Sequence, residues 1–149
     1  MRLPNFIYIL LSCLIAYSCA TIPTPVEENI KFPHTFKSVG YRSTYDQEYL
    51  LAFEHVADLI VGDDKLQLID DNVNLDILYK YIKDIKFEKV YYIGPHKWVI
   101  ISYNDGMDDK MALFTAFRYA GWVGGTSEIH EAIQLAYKRY LERENIHPN

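Results

Sequence analysis

Residues 87–106, Phe-Glu-Lys-Val-Tyr-Tyr-Ile-Gly-Pro-His-Lys-Trp-Val-Ile-Ile-Ser-Tyr-Asn-Asp-Gly, are the stretch that decides the fold class. Two runs rich in Val, Ile, Tyr and Trp, residues 87–93 and 97–103, flank Gly94-Pro95-His96, and the second run closes on Asn104-Asp105-Gly106. β-branched and aromatic side chains suit a pleated sheet, and the Gly-containing breaks supply turn geometry, so this region predicts two strands joined by a tight turn. Residues 111–119 admit two readings. Met111, Leu113, Thr115, Phe117 and Tyr119 would line one face of a strand, while Leu113, Phe117 and Ala120 would mark a helix. The hairpin signal Asn-Asp-Gly before them and the glycines between Gly121 and Gly125 after them favour a third strand.

Working outward, the period changes. Thr44-x-x-Gln47 matches a capping box, and Tyr45, Tyr49, Ala52, Phe53, Val56 and Ile60 recur at steps of three and four before Gly62, which predicts an amphipathic helix. Residues 65–69 (Lys-Leu-Gln-Leu-Ile) read as a short strand. Asn74 can cap a second helix whose apolar face would be Ile77, Leu78, Tyr81, Ile82 and Ile85. A third helix is predicted over residues 127–143, with Glu128 and Glu131 at its start and Lys138, Arg139 and Arg143 at its end, the order that the helix dipole favours. Its buried stripe would be Ile129, Ile133, Tyr137, Tyr140 and Leu141. The expected fold class is α+β: a small antiparallel β-meander with about three amphipathic helices packed on one face.

The amino terminus carries an address. Arg2 precedes an apolar run from Phe6 to Ile15, followed by the small residues Ala16, Ser18 and Ala20, the order of a secretory signal. The apolar stretch is shorter than the ~20 residues a membrane-crossing helix needs, and Pro23 and Pro25 stop it. Ile15-Ala16-Tyr17-Ser18-Cys19 resembles the lipobox of bacterial lipoprotein precursors, in which the Cys is lipidated and becomes the first residue of the mature chain. The resemblance covers the signal segment alone. It implies a signal peptide over residues 1–18, a lipidated Cys19, and membrane attachment through that lipid on the periplasmic or outer side of the envelope. Leu10-Leu11-Ser12-Cys13 is a second lipobox-like stretch, and Ala16-x-Ser18 and Ser18-x-Ala20 would allow ordinary cleavage and soluble secretion. Pro23, Pro25 and Pro33, among polar residues without periodicity, predict an extended tether over residues 19–43, with one globular domain over residues 44–149.

Composition narrows the function. The net charge of −5 becomes about −6 once Arg2 is removed, with no basic arm, which excludes nucleic acid as an expected partner. Both Cys lie at or before position 19, so the exported domain carries no thiol and is neither a disulfide scaffold nor a thiol enzyme. His130-Glu131-x-x-Gln134 begins like a zinc-protease helix but has Gln134 where the second imidazole must stand. Glu54, His55 and Asp58 would share one side of the first predicted helix; solvated charge explains them as readily as a cation does. The acids around Gly106 fail the register of a calcium loop and read as a hairpin turn. Residues 121–127, Gly-Trp-Val-Gly-Gly-Thr-Ser, run into a helix start with Thr126 or Ser127 as cap, and leave room for a ligand cleft beside Trp122. No metal or cofactor is expected.

The function expected from these features is a lipid-anchored, non-enzymatic binding or interaction module, meeting a protein or glycan partner through Trp98, Tyr103, Trp122, Gly124 and Gly125. A soluble secreted inhibitor and a small hydrolase with a fold-assembled site are the alternatives.

Overall fold

The computed structural model describes residues 30–45, 53–90, 96–116 and 125–144. Seven strands follow in chain order: β1 (His34–Arg42), β2 (His55–Val61), β3 (Lys65–Asp70), β4 (Val73–Leu78), β5 (Ile82–Val90), β6 (His96–Asn104) and β7 (Asp109–Ala116). A 3₁₀ turn, Tyr79–Tyr81, links β4 to β5, and one α-helix, α1 (Thr126–Arg143), ends the described chain. The strands form a single antiparallel sheet in the order β4-β3-β2-β1-β7-β6-β5. The expected α+β class with about three helices is therefore wrong: the described residues form a seven-stranded antiparallel sheet with one carboxy-terminal helix.

Where the described residues cover them, two of the expected helices are strands; residues 46–52 of the first lie outside the described residues. In β2 the buried residues are Ala57, Leu59 and Val61, a period of two, while Val56 and Ile60 are only half-buried. Steps of three and four coexist in that segment with an alternation the sheet uses instead. The second expected helix is β4, the 3₁₀ turn and the start of β5. A strand, one tight turn and another strand bring Ile77 and Ile82 back to the same core, at a spacing that mimics a helical repeat. The strands expected over 65–69, 87–93, 97–103 and 111–119 correspond to β3, the end of β5, β6 and β7, with residues 91–93 and 117–119 outside the described residues. The end of the expected tether, from His34 onward, is β1.

The sheet must bend strongly. Its edge strands β4 and β5 would lie about 29 Å apart if seven strands were flat. Yet Leu78 and Ile82 are four residues apart in sequence, at most about 14 Å. Both halves consequently contribute inward side chains to one core. Leu59, Val61, Leu66, Leu68 and Ile77 meet Val99, Ile101 and Phe114, and α1 closes the space with Ile129, Ile133 and Ala136. Tyr79 pins the corner: its ring is wholly buried, edge-on to Tyr137 and Tyr140, and its hydroxyl donates to the Gly62 carbonyl at 2.9 Å.

A bulge adds to the bend. Phe36 faces Leu59 and Val39 faces Ala57, so two residues of β1 oppose Asp58. Ser38 takes φ 54°, and Asp58 accepts from its amide at 3.4 Å and from the Lys37 ammonium.

β6 is buried on both faces. Its outward residues Trp98 and Ile100 join Leu113 in a second cluster, covered by Tyr45 and Phe53 from the two ends of the β1–β2 connection. Phe53 lies so close over Gly40 that a Cβ there would sit 3.1 Å from the ring. At the start of α1 the cap position is Gly125, with φ 109°, and neither Thr126 nor Ser127 caps the helix. Thr126 instead ties the helix to the sheet, its Oγ1 accepting the Ala116 N–H at 3.0 Å.

Candidate functional site: the β6–β7 hairpin end

The connection between β6 and β7 is short because Asn104 and Asp105 supply the turn. Asn104 Oδ1 accepts the Gly106 N–H at 2.7 Å, and Asp105 Oδ1 accepts those of Met107 and Asp108 at 3.0 Å each. These side chains satisfy backbone donors that no ladder partner can reach. Gly106 takes φ 97°, which a residue bearing a Cβ rarely adopts.

Charge reinforces the turn. Lys110 pairs with Asp105, and Lys83, from β5, pairs with Asp109, which also accepts from Asn104 Nδ2 at 2.8 Å. The Lys110 hydrogen bond, followed by the Asp108 and Met107 amides, holds the Asp105 carboxyl well below the usual carboxylate range. Asp109 is held down likewise, first by Lys83 and then by Asn104.

At the apex of this braced turn stands an apolar side chain. Met107 is 86% exposed, and Met111, four residues on, is 43% exposed. A thioether held in solvent by an ordered backbone makes a preorganised, adaptable apolar contact. In the sequence the acids here draw attention as calcium ligands rather than Met107, whose one signal is that of a lone apolar residue inside an acidic turn.

The residues singled out from sequence do not come together. Trp98 is 2% exposed and faces outward under Tyr45 and Phe53, whereas Tyr103 is buried in the inner core, on the other face of the same strand. Neither presents an aromatic surface to solvent. Gly125 is the buried cap of α1, while Trp122, Gly124 and Cys19 lie outside the described residues.

The other candidates separate too. Glu54 precedes β2 and binds Ser43, through its backbone and its hydroxyl at 3.1 and 2.9 Å; Asp58 engages the bulge, and His55 stacks on Tyr41 at 6.3 Å. With strand rather than helix geometry, His55 and Asp58 point to opposite faces of the sheet. His130 stacks on Phe87 at 4.9 Å, and burial lowers its pKa. Among the described residues no three His, Cys, Asp or Glu side chains gather as metal ligands would.

No known protein family matches the sequence, and no curated protein does. A chain in the solved structure described as "The 8S snRNP Assembly Intermediate" has a similar shape. It superposes with a TM-score of 0.54 at 7% identity, over 80% of this chain and 88% of that one. At that identity the likeness concerns the fold alone.

Proposed function

We propose that this protein is a lipid-anchored interaction module of the cell envelope, held to the membrane by acyl chains on Cys19 and meeting a protein partner through the β6–β7 hairpin. The observation that carries the reading is the position of Met107 relative to where the chain enters the domain. Ile30 accepts a hydrogen bond from Arg139 Nη1 at 3.0 Å, and the Arg139 guanidinium lies 5.3 Å from the Phe32 ring, so the incoming chain meets α1. From there β1 runs eight residue steps to Arg42, which faces Leu113, and β7 extends four more steps to the hairpin. That is about 40 Å along the strands. A tether joined to the chain there would have the hairpin at the other end of this strand path. An exposed apolar side chain there favours a protein surface over a glycan, which would call for the aromatic faces that Trp98 and Tyr103 keep buried.

The address and the contact are tested separately. Cys19→Ser should move the protein out of the membrane fraction or stall it as a precursor, with Cys13→Ser doing little; two or more acyl chains make release negligible, since each buried methylene contributes about 0.8 kcal/mol. Cys13 essential and Cys19 dispensable would place the lipid on the other residue, and neither mattering would remove the lipid. For the contact, a photo-crosslinking residue at position 107 in intact cells should give a discrete adduct that one at the exposed Lys138 does not. Adducts equal at both positions, or absent at 107, would refute the hairpin as the contact.

A further inference from the structure

The bent sheet leaves two edges, and the sequence treats them differently. Edge strands invite pairing with other chains, and proteins protect them with charge, Lys above all, and with bulges. β5 has both: Lys83, Asp84, Lys86, Glu88 and Lys89 line it, and its register shifts between Ile82 and Asp84. β4, Val-Asn-Leu-Asp-Ile-Leu, has no Lys and no bulge. It pairs with β3 in unbroken register from Val73 to Leu78. Its one charge, Asp76, is met by Lys65 Nζ at 2.9 Å and Gln67 Nε2 at 3.0 Å.

Turn geometry fixes which backbone groups face outward. The loop Asp71-Asn72 closes on the pair Asp70–Val73, which in a two-residue hairpin is hydrogen-bonded. Alternation then turns the N–H and C=O of Val73, Leu75 and Ile77 toward β3 and those of Asn74 and Asp76 toward the free edge. Asn74 and Asp76 are exposed, and none of the backbone bonds that the described residues make outside the ladders involves them.

We infer that β4 pairs with β4 of a second copy of this chain, antiparallel and centred on Leu75. In that register the outward backbone groups of Asn74 meet those of Asp76 on the partner, and the reverse, as hydrogen-bonded pairs. On the solvent face each Asn74 amide lies beside the partner's Asp76 carboxylate, which it can serve as a donor. On the core face Val73 meets Ile77, and Leu75 meets its own copy; Val73 and Leu75 are only half-buried in the single chain. The neighbouring registers are worse. Centring on Asp76 sets two carboxylates face to face, centring on Asn74 sets Ile77 against the loop residue Asp71, and a one-residue slip turns apolar side chains to solvent. The same device applied to β5 centred on Lys86 would oppose two lysines, and with them Asp84 to Glu88.

Sedimentation of the full chain in density-matched detergent, from micromolar to sub-millimolar protein, tests this. The expected result is a concentration-dependent monomer–dimer equilibrium. Asn74→Asp, which sets like charges opposite each other twice, should weaken it about tenfold, while Asn74→Lys, which sets a cation opposite Asp76, should tighten it severalfold. Asn74 is exposed, so both variants keep the fold, and their opposite signs separate pairing from misfolding. A chain monomeric throughout, or a dimer that responds to neither variant or to Lys86→Ala instead, would overturn the inference.

Discussion

Tyr79 is where the sheet's two edges are brought together, and its substitution offers a graded test of the bend. The ring is wholly buried between Tyr137 and Tyr140, the hydroxyl donates to Gly62, and the Tyr79 amide donates to the Asp64 carbonyl at 2.9 Å. Tyr79→Phe keeps the ring and the amide bond and removes one hydroxyl bond to a backbone acceptor, a loss of about 1 kcal/mol. Tyr79→Ala removes the ring and leaves a cavity next to α1, a loss of about 3–5 kcal/mol by the usual cost of aromatic truncation. Urea unfolding followed both by far-ultraviolet circular dichroism and by tryptophan fluorescence measures these, with an unchanged m-value showing that stability alone moved. If Tyr79→Ala cost less than about 1 kcal/mol, the corner would not belong to the cooperative core. If Tyr79→Phe cost as much as Tyr79→Ala, the hydroxyl bond rather than ring packing would hold the corner.

Burial pushes the Tyr79 phenol up, with Asp64 and Asp63 adding to it, and pushes that of Tyr41 up to about 12, with Tyr103 and Glu54 adding. The folded state then favours the neutral phenols, so their contribution to stability is flat below pH 10, where unfolded tyrosine begins to ionise, and is lost as pH rises toward about 12. Urea midpoints along this range should fall, and less steeply for Tyr79→Phe, which has one such phenol fewer. Gly125→Ala should destabilise by about 1–3 kcal/mol, because φ there is 109° and the added Cβ would sit 3.2 Å from that of Ala116; a thermal melt unchanged from the parent would refute that. Asp105→Ala should speed amide hydrogen exchange at Met107 and Asp108, which lose their acceptor, while leaving exchange in the core strands β2 and β3 unaltered.

Of the hairpin site, the turn was legible and the contact was not. Asn104-Asp105-Gly106 announces a reversal whatever surrounds it, because the amide and carboxylate side chains and the glycine act within their own few residues. That Met107 stands in solvent while Trp98 and Tyr103 are buried depends on what lies over each face of β6. No local pattern states that Phe53, 45 residues earlier, will lie against the outer face.

The sequence by itself determined the strands β3, β6 and β7, the end of β5 and the helix α1, where turn residues, β-branched runs and the order of charges along the helix all act over short range. It could not determine β1, which reads as tether, nor β2, β4 and the start of β5. Apolar residues in the last three satisfy the helical and the strand period together, and single-segment propensity is too weak to choose. Tertiary structure made the choice by supplying partners: β1 and β3 on either side of β2, β3 beside β4, and a common core in which alternate residues are excluded from water. The three-residue link at Tyr79–Tyr81 shows the same division, since its length is written in the chain but its consequence, a sheet bent until both halves share one core, exists only once all seven strands are paired.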